Sequence, residues 1–186
     1  MNSELDKMLG GELYNAFDPQ LVDLRIKART QLTLYNSIPY EQMEQRTLLL
    51  KKFLGGYINL IDIQAPFYCD YGFNIFAGDN LYINFNCVIL DCAKITFGNN
   101  VLLGPNVQLY AASHPIIASE RIKGLESAWP ITIGDNVWLG GGVIVCPGVT
   151  IGNNTTIGAG SVVIKDIPAN VLAVGNPCRV IKELAS

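Results

Sequence analysis

The sequence predicts an all-β core, a parallel β-helix of six-residue repeats, with an N-terminal α-helical cap and a protruding loop. Three features carry that prediction. Between Ile133 and Val163 the chain is written in sixes without a gap: IGDNVW, LGGGVI, VCPGVT, IGNNTT and IGAGSV. Residues 3 to 55 place their apolar side chains at helical intervals among charged ones instead. Between Leu109 and Ile133 the six-residue rhythm stops, to resume 24 positions on, a multiple of six.

The repeat has a direct physical reading. An aliphatic residue opens each unit, turn-forming residues such as Gly, Asn, Asp or Pro follow, and a small or β-branched residue stands fifth. The fifth residue of one unit and the first of the next are two apart, so in extended chain both point to the same side. An apolar pair followed by a tight turn describes a chain that bends once per unit. Three corners close a coil, and stacked coils pair along the axis at roughly 4.8 Å.

Taken in order, residues 1–57 form the cap. Leu5, Met8 and Leu9, then Leu21, Leu24, Ile26 and Ala28, then Met43, Leu48, Leu50 and Leu54 predict two or three amphipathic helices, punctuated by Gly10-Gly11, Asp18-Pro19 and Ser37-Ile38-Pro39. A solenoid needs a polar cover at its open end, and the cap meets that need whether or not it also borders a substrate pocket. Residues 58–186 form the β-helix. Its early rhythm runs from Ala65 through APFYCD, YGFNIF, AGDNLY and INFNCV to Ile89, putting Cys69 and Tyr71, Ile75 and Ala77, Leu81 and Ile83 inward as pairs. DCAKIT from Asp91 breaks the phase by two residues, and FGNNVL and LGPNVQ restore it. Residues 110–130 read as a loop thrown outward; a long loop in an economical repeat is usually functional. After Val163, Pro168, Gly175 and Pro177 end the winding, and VIKEL reads as a short closing element.

Composition bounds the function. Hydrophobic residues make up 49% and charged residues 16%, as suits a solenoid with a wholly apolar inside. A net charge of −3 argues against a nucleic-acid binder. No apolar run is long enough to span a bilayer, and the start MNSELDKML is too charged for a signal peptide, so a cytoplasmic protein is expected, without membrane attachment. Five cysteines without a CxxC pair read as buried thiols of a reducing compartment.

The chemistry-bearing residues are few. His114 is the one histidine and lies in the loop before Pro115, where it is either a surface residue or a general base titrating near neutrality. A single histidine makes a zinc site of the γ-carbonic-anhydrase kind untenable, so no metal is expected. Trp138 and Ile144 occupy sixth places and point outward; an indole there calls for a covering subunit, a ligand, or both. Flat prism faces invite packing about a threefold axis, so a homotrimer is the expected assembly. Tyr82, Asn84, Asn86 and Asp91 crowd one region, as turn formers or as groups suited to a polyhydroxylated ligand.

With the ladder, the His-Pro loop, NFNCVILD and GNPCRVIK together, the chain resembles the maltose and galactoside O-acetyltransferases, the maltose type more closely. The likeness extends over the whole chain, including GELYNAFDPQL and YCDYGFNIFAGDN. It implies a left-handed winding, which spacing cannot show, and transfer of acetyl from acetyl-CoA to a sugar hydroxyl in a trimer with active sites between subunits. It implies His114 as catalytic base, with the Gly141 N–H in WLGGG holding the oxyanion. Asp70, Tyr82 and Asn84 are the implied acceptor contacts, which Asp91 of the polar cluster is expected to join, and Glu126 a carboxylate that orients His114 or binds sugar. Trp138, Gly141, Ala159, Lys165, Arg179 and Lys182 fall on the implied CoA strip, with the basic residues near its phosphates. The chain departs from the galactoside type at Ala16 and Cys92, where that type has acids, and at Ile164, where it has a hydroxyl residue. Two other readings stay open: the same chemistry on a non-sugar acceptor such as an antibiotic alcohol or serine, and a scaffold without catalysis.

Overall fold

The computed structural model describes residues 2–184. Three helices form the cap, the first two started by local chemistry. The Ser3 hydroxyl accepts the Asp6 N–H and the Asp6 carboxylate accepts the Ser3 N–H, a capping box that opens α1 (Glu4–Leu9). Asp18 caps α2 (Pro19–Ser37) by accepting the Gln20 N–H, with Pro19 where the first turn needs no donor. α3 (Met43–Phe53) follows. Leu21, Ala28, Leu32 and Tyr35 of α2 and Leu50 and Phe53 of α3 join the core of the solenoid. Arg46 is buried between the two helices, its guanidinium donating to the carbonyls of Ile38 and Ile63 and to the Tyr35 hydroxyl. Leu9, Ile26, Met43 and Leu48, expected on buried helix faces, are exposed. The cap lies against one side of the prism and has no core of its own, so only part of each apolar set is covered.

The rest is a left-handed parallel β-helix with three faces. The first stacks Gly56–Tyr57, Ile75–Ala77, Ile95–Phe97, Ile131–Ile133 and Thr150–Ile151. The second stacks Ile61–Ile63, Leu81–Ile83, Leu102–Leu103, Trp138–Leu139, Thr156–Ile157 and Val171–Val174, and Arg179–Glu183 closes it as an antiparallel strand. The third stacks Phe67–Cys69, Cys87–Leu90, Gln108–Tyr110, Ile144–Val145 and Val162–Val163. First- and fifth-place residues from Ile133 to Val163 are buried throughout, as the hexads require.

Coil length varies along the ladder, and in its early coils the variation sits at one corner. Partners on adjacent coils are 18 residues apart late in the ladder (Thr132 and Thr150) and 20 apart early (Ile61 and Leu81, Tyr82 and Leu102). Five residues separate Cys69 from Ile75 and Ile89 from Ile95, against three between Ala77 and Leu81, so the extra length sits where the third face meets the first. The phase break expected only at Asp91 therefore also occurs one coil earlier, and the inward pair there is Phe67 and Cys69, with Ala65 outside the core. Asp70–Asn74 and Asp91–Lys94 make this wide corner.

The corner between the first and second faces is regular. Asn80, Asn100, Asn136, Asn154 and Asn170 stack there, the side-chain amide of each of the first four donating to the carboxamide oxygen of the next. All five hold positive φ of 55 to 60°, a conformation asparagine tolerates better than most residues. All five cysteines are free thiols. Among the described residues no helix is long and apolar enough to cross a membrane.

Candidate active site

The wide corner is braced from within. Asp91 is fully buried, and its carboxylate accepts the backbone N–H groups of Tyr71 (2.8 Å), Asp70 (3.1 Å) and Asn74 (3.3 Å) in the coil below. Asp91, expected among the acceptor contacts, thus lies inside the corner with its carboxylate bonded to the backbone. Both oxygens are committed to the backbone, since a five-residue corner leaves amides that the ladder does not pair. Burial pushes the Asp91 carboxyl up to about 6, against the pull of the Tyr71 and Asn74 amides. Because that lies above its ordinary 3.8, the native chain binds the extra proton between roughly pH 4 and 6. The contribution is fully present below pH 4 and is lost as the pH rises through 6. The difference in melting temperature between the wild type and Asp91→Asn is accordingly expected to be larger at pH 4 than at pH 7; equal differences would refute the linkage.

Outward of Asp91, Asp70 and Cys92 meet, the thiol donating to Asp70 Oδ2 at 3.5 Å. Burial raises the Asp70 carboxyl, while the Cys92 thiol and the charges of Arg25 and Arg29 from α2 hold it down. Burial and the Asp70 charge push the Cys92 thiol well up, so it serves as a neutral donor and not as a nucleophile. A cleft of roughly 440 Å³ opens beside Asp70 between α2 and the third face, with Arg29, Asn36, Tyr68 and Leu90 on its walls. Its size is that of a small-molecule site.

The loop from this corner has more structure than the sequence suggests. Ala112–Ser113 and Leu125–Ala128 pair antiparallel, and Tyr14–Asn15 of the N-terminal arm adds a third strand on the other edge of Leu125–Ala128. A single helical turn, α4 (Ala118–Arg121), makes the tip. The Arg121 guanidinium donates to the carbonyls of Pro115 and Ile116, folding the His114-Pro115 segment back on the tip. His114 is thus fixed between a strand end and a tethered turn, with its side chain 57% exposed. Its Nε2 lies 3.9 Å from Glu126 Oε1, an electrostatic contact too long for a hydrogen bond. Glu126 Oε2 accepts the Tyr14 hydroxyl at 2.9 Å. Neither Tyr14 nor Arg121 is legible as a site residue from spacing, because each acts on a partner that only the folded loop brings near.

The other sequence-indicated residues lie elsewhere. Tyr82, Leu102 and Trp138 stand in one column of the second face, and Trp138 is 52% exposed. Asn84, Gly141 and Ala159 occupy the next corner, between the second and third faces. The Asn84 carboxamide oxygen accepts the Phe85 N–H, which leaves its amide group for a ligand. Third-place amides at the asparagine corner are taken up by side chains of the next coil, as Asp79 N–H by Asn99 and Asp135 N–H by Asn153. At the Gly141 corner the next coil offers Ala159, which has no acceptor. Among the described residues, neither the Gly141 nor the Ala159 N–H has a hydrogen-bond partner in the chain. Such amides suit a ligand oxygen. Lys165, Arg179 and Lys182 are exposed near the C-terminal end, and Lys165, Asp166, Arg179 and Val180 line one shallow groove. The chain thus divides its candidate residues between two edges: Asp70, His114 and Glu126 on the wide corner, and Tyr82, Asn84, Trp138, Gly141 and Ala159 across the third face.

Comparison with known proteins decides what this arrangement belongs to. A family model described as the maltose acetyltransferase hexapeptide capping motif matches residues 7–57, and one for the bacterial transferase hexapeptide (six repeats) matches 130–165. A solved maltose O-acetyltransferase from Clostridium difficile is 48% identical, with a TM-score of 0.97 over 100% of this chain and 99% of that one. The chain belongs to the maltose and galactoside O-acetyltransferase family. Within it, a galactoside acetyltransferase solved with coenzyme A is 40% identical at a TM-score of 0.95, covering 100% of this chain and 92% of the other. Nodulation protein L of Rhizobium meliloti is 48% identical over 96% of this chain and 97% of its own. The capping-motif match runs from within α1 to Tyr57, just past α3, and so takes in the Tyr14–Asn15 strand and the first ladder strand, while the second match falls on the late ladder.

Proposed function

We propose that the chain transfers acetyl from acetyl-CoA to a hydroxyl of a sugar of the glucose or maltose kind, with His114 as general base. Acetyl transfer from acetyl-CoA follows from the family; the acceptor and the mechanism are the reading put forward here. The observation that carries it is His114, held beside Glu126 on a tethered loop and next to the polar Asp70 corner. His114 takes the proton of the acceptor hydroxyl as that oxygen attacks the thioester carbonyl. The tetrahedral intermediate places its negative oxygen on the Gly141 N–H. Collapse breaks the C–S bond, and the thiolate leaves with the proton that His114 returns. The unpaired Gly141 and Ala159 amides, the apolar Leu102 and Trp138 column and the exposed Lys165, Arg179 and Lys182 fit an elongated, polyphosphorylated acyl donor. The Asp70, Tyr82 and Asn84 groups fit the acceptor. A cytoplasmic location suits five reduced thiols.

The division of the site between two edges supports a homotrimer in which the wide corner of one copy meets the Gly141 edge of the next. The test is thiol release from acetyl-CoA with glucose, maltose and galactosides as acceptors. Acceptor-dependent release is expected with the first two. Release with none of them would refute the sugar reading. Co-expressed His114→Ala and Asn84→Ala chains are expected to recover about a quarter of wild-type activity by random assortment of intact half-sites. No recovery would place each site within one chain.

A further inference from the structure

We propose that Tyr14 of the N-terminal arm is a positioning residue for acetyl transfer, holding Glu126 so that one carboxylate oxygen faces His114. The inference rests on the reading of His114 as base and assigns Glu126 to orientation, not to sugar binding. Strand register sets Tyr14 directly opposite Glu126. Tyr14 is fully buried, and its hydroxyl donates to Glu126 Oε2 at 2.9 Å, leaving Oε1 turned to His114 Nε2 at 3.9 Å. A phenylalanine would fill the same space with no hydroxyl to satisfy. The phenol therefore does something its ring does not: it removes the freedom of a carboxylate that would otherwise swing toward solvent on an exposed loop. Held in place, Oε1 is poised to accept the imidazole N–H on its side as the site closes around its substrates, so the nitrogen facing away from Glu126 is the one left to take a proton.

The charged and titratable groups around this pair are few. Cys92 faces the Tyr14 hydroxyl beside Glu126, Asp70 lies beyond it, and Arg25 and Arg29 of α2 act on Asp70. Burial and the Glu126 and Cys92 neighbours raise the Tyr14 phenol well above its ordinary range, so it stays a donor throughout the working pH range. The N-terminal cap, which the repeat alone explains as a cover, thereby reaches the base through one strand and one hydrogen bond.

The test compares Tyr14→Phe, Glu126→Gln, the double variant and His114→Ala as full-length protein, following kcat, both KM values and melting temperature. Tyr14→Phe is expected to lower kcat about tenfold to a hundredfold, as misplacement of a catalytic group does, with the acceptor KM unchanged. The double variant is expected to be no slower than Glu126→Gln alone. Additive losses would reduce Tyr14 to a core residue, and a loss in acceptor KM alone would make Glu126 a sugar ligand; either overturns the proposal. Additive losses beside an inactive His114→Ala overturn it and leave the reading of the base intact. Wild-type turnover in His114→Ala removes both.

Discussion

His114→Ala is expected to lower kcat by about a hundredfold to ten-thousandfold while the acetyl-CoA KM stays near the wild-type value. The side chain is more than half exposed, so the variant is also expected to melt with the wild type. The magnitude follows from what the base supplies: a hydroxyl attacking a thioester must lose its proton on the way, and water at neutral pH takes it far less readily than a positioned imidazole. The Gly141 N–H and the approximation of the two substrates would remain, which is why activity falls to a residue and not to zero. Assay of purified variant and wild type over a range of both substrates decides it. A change in acetyl-CoA KM with kcat intact would make His114 a binding residue.

Gly104→Ala carries the second large effect, with the cause one coil away. A Cβ at Gly104 would lie 2.6 Å from the Gly141 nitrogen, a distance that forces the backbone apart. Since Gly141 is the proposed oxyanion donor, kcat per folded molecule is expected to fall by about a hundredfold, as on removal of such a donor. Overpacking also destabilises, by roughly 1–3 kcal/mol, so a control is needed. Gly98→Ala provides it: its Cβ would lie 2.7 Å from the Asp135 nitrogen at the asparagine corner, the same insult away from the site. Both variants are expected to melt lower, and Gly104→Ala alone to lose turnover. Equal turnover in the two, measured below either transition, would exclude Gly141 as the oxyanion donor.

The ladder was legible from sequence because its signal is local. A two-residue offset between fifth and first places dictates which side chains go inward, and nothing distant overrides it from Ile133 to Val163. Legibility falls where position depends on contacts far along the chain. Phe67 and Cys69 form the inward pair of the first coil because the wide corner adds two residues, and APFYCD alone offers no sign of that. Leu9, Ile26, Met43 and Leu48 sit at helical intervals, yet which of them a helix buries depends on the side it turns to the prism. Asp91 lies among polar neighbours in sequence, as a ligand contact would, and only the folded corner reveals three amides in need of an acceptor. His114 stood out by being alone in a loop. Its relation to Glu126 and Tyr14 spans 112 residues from arm to loop and has no periodic trace.

The loop that carries His114 sets partners on neighbouring coils 36 residues apart, where the coil that follows it uses 18. Its added length equals one coil, but the ladder does not require that equality, because strand pairing on either side is fixed by the apolar pairs and not by the residues between them. In terms of descent, this is the site where the chain is free to lengthen or shorten while every coil keeps its partners. Elsewhere a single inserted residue would turn an inward aliphatic side chain to solvent and disturb every strand stacked on it. Variation in length is thereby confined to a segment whose changes the scaffold does not feel, and the prism can be inherited intact while the loop around the base is revised.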